Sequence, residues 1–107
     1  MPKYMFQSSY TTEGLKGLFK DGGSKRQEAL EEVVKGMGGS MEVFYYAFGQ
    51  DDVFGIANMP DNVSTAALAL VITASGAAKV KTGELLNPEE IDQAGKMPGF
   101  EKESIEY

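Results

Sequence analysis

The sequence predicts an α+β domain in which strands and helices follow one another in the order β-α-β-β-α-β. Three observations support this prediction. Four short segments have the length and the residue types of strands, and two of them are rich in aromatic residues. Two longer segments carry apolar residues at helical spacing, and glycine- or proline-containing turns separate the segments. At 107 residues, the chain is long enough for one domain with its own core. We expect this domain to span residues 1–95 and residues 96–107 to form a polar C-terminal tail.

The first third of the chain predicts one strand and two helical segments. Residues 3–10 alternate as a strand, and Thr11 or Thr12 is suited to cap a short helix. Ser24 and Gln27 have the spacing of a capping box, which predicts that a second helical segment begins at Ser24. A pair of glycines ends that segment.

The middle of the chain predicts a β-hairpin followed by a helix and a further strand. Residues 40–48 and 52–59 are aromatic-rich strands, and the turn between them is short, so the two should pair antiparallel. Asp61 is suited to cap the next helix. That helix carries a smooth face of small or apolar residues, namely Val63, Ala66, Ala67, Leu70 and Ala74. Residues 78–86 alternate as a fourth strand.

A short C-terminal helix completes the predicted order. Asn87 is suited to the N-cap position, Pro88 to the first helical position and Glu90 to the third. Together these elements predict a ferredoxin-like sandwich, in which two helices cover one face of a four-stranded antiparallel sheet.

The composition excludes several classes of function. The chain has no cysteine and no histidine, which excludes disulfides, thiolate nucleophiles and imidazole catalysis. The net charge of −6 argues against binding to nucleic acids or to anionic membranes. No apolar run is long enough to span a bilayer. We therefore expect a cytoplasmic protein with no metal, no cofactor and no nucleic-acid or membrane partner.

The two hairpin strands are apolar on both faces. In the first strand, strict alternation places Phe44, Tyr46 and Phe48 on one face and Met41, Val43, Tyr45 and Ala47 on the other. In the second strand, it places Phe54 and Ile56 on one face and Val53, Ala57 and Met59 on the other. Helices cover only one face of such a sheet, and monomers rarely expose a large apolar patch on the other. We therefore expect a homodimer packed sheet to sheet, or a higher oligomer. The alternative is that the C-terminal tail, with Phe100, Ile105 and Tyr107, folds back over the sheet.

Several short motifs occur in a characteristic order: Ser9-Tyr10-Thr11-Thr12-Glu13-Gly14, Ser24-Lys25-Arg26, Met37-Gly38-Gly39, and Phe44 to Gly49 followed by Gln50-Asp51-Asp52. In this order the chain resembles, over residues 3–90, the GYD domain family of small bacterial and archaeal proteins of unknown function. Gly49 and Asp52 match the glycine and aspartate of the family's Gly-Tyr-Asp signature, whereas Asp51 stands at the tyrosine position. The resemblance implies kinship with dimeric α+β barrel proteins, whose two sheets enclose a cavity. Some of these are cofactor-free oxygenases or haem-degrading enzymes, but a shared fold does not transfer an activity.

Five residues are candidates for ligand binding: Tyr10, Tyr45, Tyr46, Asp51 and Asp52. The two adjacent carboxylates have the chemistry of a general base or a divalent-cation site, although turns also favour aspartate for geometric reasons alone. The tyrosines are suited either to line a cavity and donate hydrogen bonds or to pack in the core and the dimer interface.

The sequence supports two hypotheses of function from different classes. The first is a homodimeric protein that binds a small molecule or acts as an assembly module. The alternative is a cofactor-independent enzyme, oxygenase- or isomerase-like, that acts on a small aromatic or enolisable substrate with Asp51 or Asp52 as base and a tyrosine as donor. A pocket with a carboxylate close to a tyrosine hydroxyl would favour the enzyme.

Overall fold

The computed structural model describes residues 1–47 and 49–99 and contains one four-stranded antiparallel sheet. The elements are β1 (Lys3–Tyr10), α1 (Thr12–Asp21), α2 (Gly23–Gly36), β2 (Ser40–Tyr46), β3 (Val53–Asn58), α3 (Asn62–Ala74), β4 (Ala78–Glu84) and α4 (Pro88–Ala94). The strand order is β2-β3-β1-β4. This confirms the predicted ferredoxin-like fold with an additional C-terminal helix. Phe48, Phe100, Ile105 and Tyr107 lie outside the described residues.

The sheet has one face covered by helices and one face that no described helix covers; we call these the covered face and the open face. Tyr4, Phe6 and Ser8 of β1 alternate along the strand and are buried on the covered face. The core beneath the helices consists of Tyr4, Phe6, Val34, Ala57, Met59 and Leu68. Val34 comes from α2 and Leu68 from α3, so these two helices close the covered face.

The start of β2 departs from the predicted alternation. Met41 pairs with Ala57, but Val43 pairs with Ile56, so β2 has an irregularity between Met41 and Val43 in which Glu42 is the additional residue. Met41 therefore packs against the core on the covered face. The prediction that Met41 shares a face with Val43 was wrong, because a bulge shifts the alternation by one residue.

The predicted cap is confirmed at the start of three helices. The side chains of Thr11, Asp61 and Asn87 accept hydrogen bonds from backbone amides of α1, α3 and α4 respectively. At Asp61, the hydrogen bond from the Ser64 amide lowers the pKa of the carboxyl group. At Asn87, the side chain of Glu90 returns a bond to the cap amide and completes a capping box.

The predicted capping box at Ser24 was wrong. The helix α2 begins one residue earlier, at Gly23, and Gly22 is its cap residue, with no side-chain hydrogen bond. Gly22 has a φ of +89°, a conformation that favours glycine and allows α1 to turn directly into α2.

None of the helices in the described ranges, 1–47 and 49–99, has the length and apolar character needed to cross a membrane.

Candidate functional site

A pocket of about 230 Å³ remains between the helices and the covered face of the sheet. Its apolar walls come from α2, α3, β2 and β3, and include Leu30, Val33, Phe44, Val53 and Ile72. Four polar residues also line it, namely Ser8, Tyr10, Arg26 and Ser75. The pocket is therefore mainly apolar with a few polar groups, which is the usual character of a small-molecule site.

Tyr10 is the one predicted candidate that lines this pocket. Burial raises the pKa of its phenol to about 12; the neighbouring Tyr46 and Asp52 add to the rise, whereas the guanidinium of Arg26 opposes it. The phenol is therefore neutral at physiological pH. A hydrogen bond with the Tyr46 side chain contributes to the raised pKa, and the Tyr10 hydroxyl adds an uncharged polar group to the pocket.

Two other polar groups at the pocket are shielded from solvent. Ser8 is 8% exposed and lines the pocket. The Nε atom of Arg26 is buried and has no hydrogen-bond partner among those residues, although Asp21 Oδ2 lies 3.4 Å from it. Buried polar groups are normally hydrogen-bonded, so both residues are candidates for contact with a ligand.

The guanidinium of Arg26 lies close against α1 at Gly17. A Cβ atom added to Gly17 would be 1.8 Å from Arg26 Nη2. The glycine therefore leaves the space that the guanidinium occupies beside the pocket.

Tyr45 and Tyr46 lie on opposite faces of β2. The Tyr46 hydroxyl donates a hydrogen bond of 3.0 Å to the carbonyl of Gly23, and its ring packs edge to face on Phe44 at a centroid distance of 5.2 Å. The side chain of Tyr45 lies on the open face, opposite Phe54, and the residue is 69% exposed. Tyr46 thus supports the wall of the pocket, and Tyr45 lies away from it.

The turn between β2 and β3 is tied to the end of β1 through Asp52. The Asp52 amide donates a 2.8 Å hydrogen bond to the carbonyl of Ser8, and the Tyr10 amide donates a 2.9 Å bond to Asp52 Oδ2. Gly49, at the start of the turn, has a φ of +133° that side chains rarely tolerate. The glycine and the aspartate of the signature thus have local structural roles: Gly49 allows the turn, and Asp52 fixes it to β1.

Asp51 faces away from the pocket. Its Oδ1 accepts a 3.1 Å hydrogen bond from the Ser9 hydroxyl, and Lys81 Nζ lies 3.3 Å from its Oδ2. Ser9 and Lys81 belong to the open face of β1 and β4, so Asp51 and Asp52 do not converge on one ligand. Within the described part of the chain, no group of three or more acidic side chains is placed to hold a metal ion.

Arg26 was not among the predicted ligand-binding residues. The sequence nevertheless contains a signal for it, because Arg26, Ala29, Leu30 and Val33 follow the i, i+3, i+4, i+7 spacing of one helix face. An arginine on an otherwise apolar helix face needs a partner or access to water, so this pattern indicates a candidate binding residue.

The strand order and the helices on one face of the sheet define a ferredoxin-like domain. The model of the GYD domain family matches residues 4–94, so the chain belongs to that family, as the motifs indicated. The comparisons with curated proteins and with solved structures gave no match.

Proposed function

We propose that this protein binds a small, largely apolar molecule in the pocket between α2, α3 and the sheet. The observation that carries the proposal is the 230 Å³ space left on the covered face, with apolar walls and the buried Arg26 Nε, which has no hydrogen-bond partner among the described residues. An apolar cavity of about 150 Å³ accepts benzene, so this pocket has room for one substituted ring or a short branched chain.

The surroundings of the two aspartates favour binding rather than catalysis. No described residue that lines the pocket is an aspartate or a glutamate. Asp51 is engaged with Ser9 and Lys81, and Asp52 holds the backbone amide of Tyr10. A general base must lie within hydrogen-bonding reach of the proton that it removes. We therefore assign ligand binding to the pocket and propose no catalytic step.

A nuclear magnetic resonance titration with a library of single-ring fragments tests this proposal. We expect some fragments to shift the amide signals of lining residues such as Val33 and Ile72. Ala29→Phe places a ring at an exposed position that lines the pocket and should abolish these shifts. Ala66→Phe is the matched control, because Ala66 is also an exposed helical alanine but lies outside the pocket lining. If no fragment shifts the lining amides of the wild-type protein at millimolar concentration, the proposal is wrong.

We further propose that the protein is a homodimer in which the open faces of two sheets pack together. On this face Val43 pairs with Ile56, Tyr45 pairs with Phe54, and Met5 lies beside Ile56, which forms a continuous apolar surface. Such a surface is normally covered in soluble proteins.

Charges at the two ends of the open face support a second copy of the chain as the partner. Lys3 forms a 2.8 Å ion pair with Glu42 at one end, and Lys81 lies 3.3 Å from Asp51 at the other. These charges are compensated within each chain, so a self-complementary contact between two identical faces does not bring them together unpaired.

Light scattering after size-exclusion chromatography tests the dimer. Tyr45→Glu places a charge at the centre of the proposed interface and should halve the measured mass. Leu70→Glu is the matched control on α3, because Leu70 and Tyr45 are 68% and 69% exposed, and it should leave the mass unchanged. A wild-type protein that elutes with the mass of one chain at micromolar concentration would contradict the proposal.

A further inference from the structure

Three of the polar residues that line the pocket share a chemical character. Ser8 and Tyr10 provide hydroxyl groups and Arg26 provides a guanidinium, whereas no described lining residue carries a negative charge. We infer that the pocket binds a small organic acid, whose carboxylate contacts Arg26 and the hydroxyls of Ser8 and Tyr10. This inference rests on the proposed binding function and adds the charge of the ligand.

The state of Arg26 is the first argument for an acidic ligand. Its Nε is buried without a hydrogen bond among the described residues, and the nearest carboxylate, that of Asp21, is 3.4 Å away. A guanidinium in a partly buried place is stabilised most by a carboxylate that accepts from it directly. A ligand carboxylate in the pocket would supply this acceptor.

The two hydroxyl groups are the second argument. Ser8 is almost fully buried and lines the pocket. Tyr10 remains protonated over the whole physiological range, since its pKa is raised to about 12. Both can therefore donate to a carboxylate, and neither adds a negative charge that would repel it.

The apolar lining and the volume of the pocket indicate which apolar group the acid carries. Leu30, Val33, Phe44 and Ile72 line the pocket with apolar surface. The volume of about 230 Å³ suits one ring or a short branched chain. A cationic ligand would meet the like charge of Arg26, and a neutral ligand would add no charged acceptor to the one that Asp21 provides 3.4 Å from Arg26 Nε.

Titrations of the full chain with benzoate, benzamide and benzylamine, followed at the amides of Val33 and Ile72, test the inference. These probes share a ring and differ in charge. Because hydrogen bonds to charged groups are the stronger ones, we expect benzoate to bind roughly tenfold to a hundredfold more tightly than benzamide. Benzylamine should bind most weakly. Arg26→Gln should remove most of the preference for benzoate over benzamide.

Gly17→Ala is a second variant, and it keeps the charge of Arg26. The new Cβ would lie 1.8 Å from Arg26 Nη2 and would force the guanidinium to move. Alanine also favours the helix, so the fold should be retained. We expect weaker binding of benzoate and unchanged binding of benzamide. Gly36→Ala, where no atom lies within 4 Å of the new Cβ, is the matched control.

The outcomes separate this inference from the function on which it rests. If benzoate and benzamide bind the pocket equally, or if benzylamine binds best, the acidic ligand class is wrong and the binding function stands. If Arg26→Gln retains the preference for benzoate, Arg26 is not the recognition residue and the inference is also wrong. If none of the three probes shifts the lining amides but another fragment of the library does, the inference is wrong and the binding function stands. Only if no fragment shifts them do both fail.

Discussion

The covered face and the open face of the sheet use the same strands, but only one of them is completed within the chain. On the covered face, Tyr4 and Phe6 of β1 are buried against α2 and α3. On the open face, Met5 of the same strand lies beside Ile56 and near Tyr45, and no described helix covers them. The comparison shows that one face supplies the core of the single chain, and that the other is apolar without contributing to that core.

The packing on the covered face changes along β1. At one end Tyr4 and Phe6 fill the space under the helices, whereas toward the other end Ser8 and Tyr10 border the pocket. The residues across from them, such as Ala78 of β4, are small. The pocket therefore arises where small side chains replace large ones on the same face of the sheet.

The largest expected effect comes from truncating a core residue on the covered face. Leu68 is 1% exposed, so Leu68→Ala should reduce the free energy of unfolding by about 2–5 kcal/mol at every protein concentration. Ile56→Ala on the half-buried open face should cost less, and its cost should depend on protein concentration if a second chain covers Ile56. Urea unfolding at two protein concentrations measures both. Equal losses without concentration dependence would remove the distinction between the two faces.

A comparison of two glycines sharpens the difference in packing. In α1, a Cβ on Gly14 would lie 1.9 Å from the backbone oxygen of Ala77, which cannot move away as a side chain can. Gly14→Ala should therefore destabilise the protein by about 1–3 kcal/mol. On the open face, nothing lies within 4 Å of a Cβ on Gly83, so Gly83→Ala should change stability by less than about 0.5 kcal/mol. Thermal unfolding at low protein concentration measures both variants, and similar melting temperatures would contradict this account.

The parts of the fold that depend on local signals could be predicted from the sequence. Thr11, Asp61 and Asn87 act as caps because each side chain bonds to an amide three residues away, and such spacing is visible in the sequence. The bulge at Met41 was not predictable in this way, because it depends on how β2 pairs with β3. The outward face of α3 was also ambiguous. Nearly all of that helix is apolar, so its periodicity does not show that Thr65 and Leu68 are buried while Val63 and Leu70 are exposed.

Only those residues of the site that lie on a single strand or turn could be predicted from the sequence. Tyr10 belonged to the predicted candidates and lines the pocket, whereas Arg26 reaches that pocket from α2. The contact between these two residues depends on how closely α2 approaches β1, which no local pattern records. Neighbouring side chains alternate in direction, so Asp51 and Asp52 diverge. The structure shows their partners: Asp51 accepts a hydrogen bond from Ser9, and Asp52 accepts one from the Tyr10 amide.

A smaller effect is expected at the junction where α1 meets the covered face. The Thr11 hydroxyl donates a 2.6 Å hydrogen bond to the carbonyl of Gly76 and accepts one from the Gly14 amide. Thr11→Ala removes both bonds and should cost about 1 kcal/mol. Thr12→Ala is the matched control at the exposed first helical position, where alanine is the better helix former, and should cost nothing. Chemical denaturation of the two variants measures the difference, and equal stabilities would show that the hydroxyl of Thr11 does not fasten α1.

The smallest effect at neutral pH, and the most specific for the pocket, concerns the phenol of Tyr10. Its folded-state pKa of about 12 lies above the ordinary value of 10.0, so the folded state retains a proton that the unfolded state loses first. The stability that depends on this proton is complete below about pH 10 and is lost as the pH rises toward 12. Tyr10→Phe should therefore flatten the decline in stability over this range. Tyr45→Phe, which removes a phenol from the open face, is the control for the loss of one hydroxyl.

Urea unfolding of the wild-type protein and both variants at several alkaline pH values measures this effect, and the difference curve between wild type and Tyr10→Phe isolates the contribution of Tyr10. If this curve is flat between pH 10 and 12, burial does not hold the Tyr10 proton. The phenol would then be less reliable as a neutral hydrogen-bond donor in the pocket. A curve that declines with increasing pH would show that the burial of Tyr10, which lines the pocket, raises the pKa of its phenol in the folded protein.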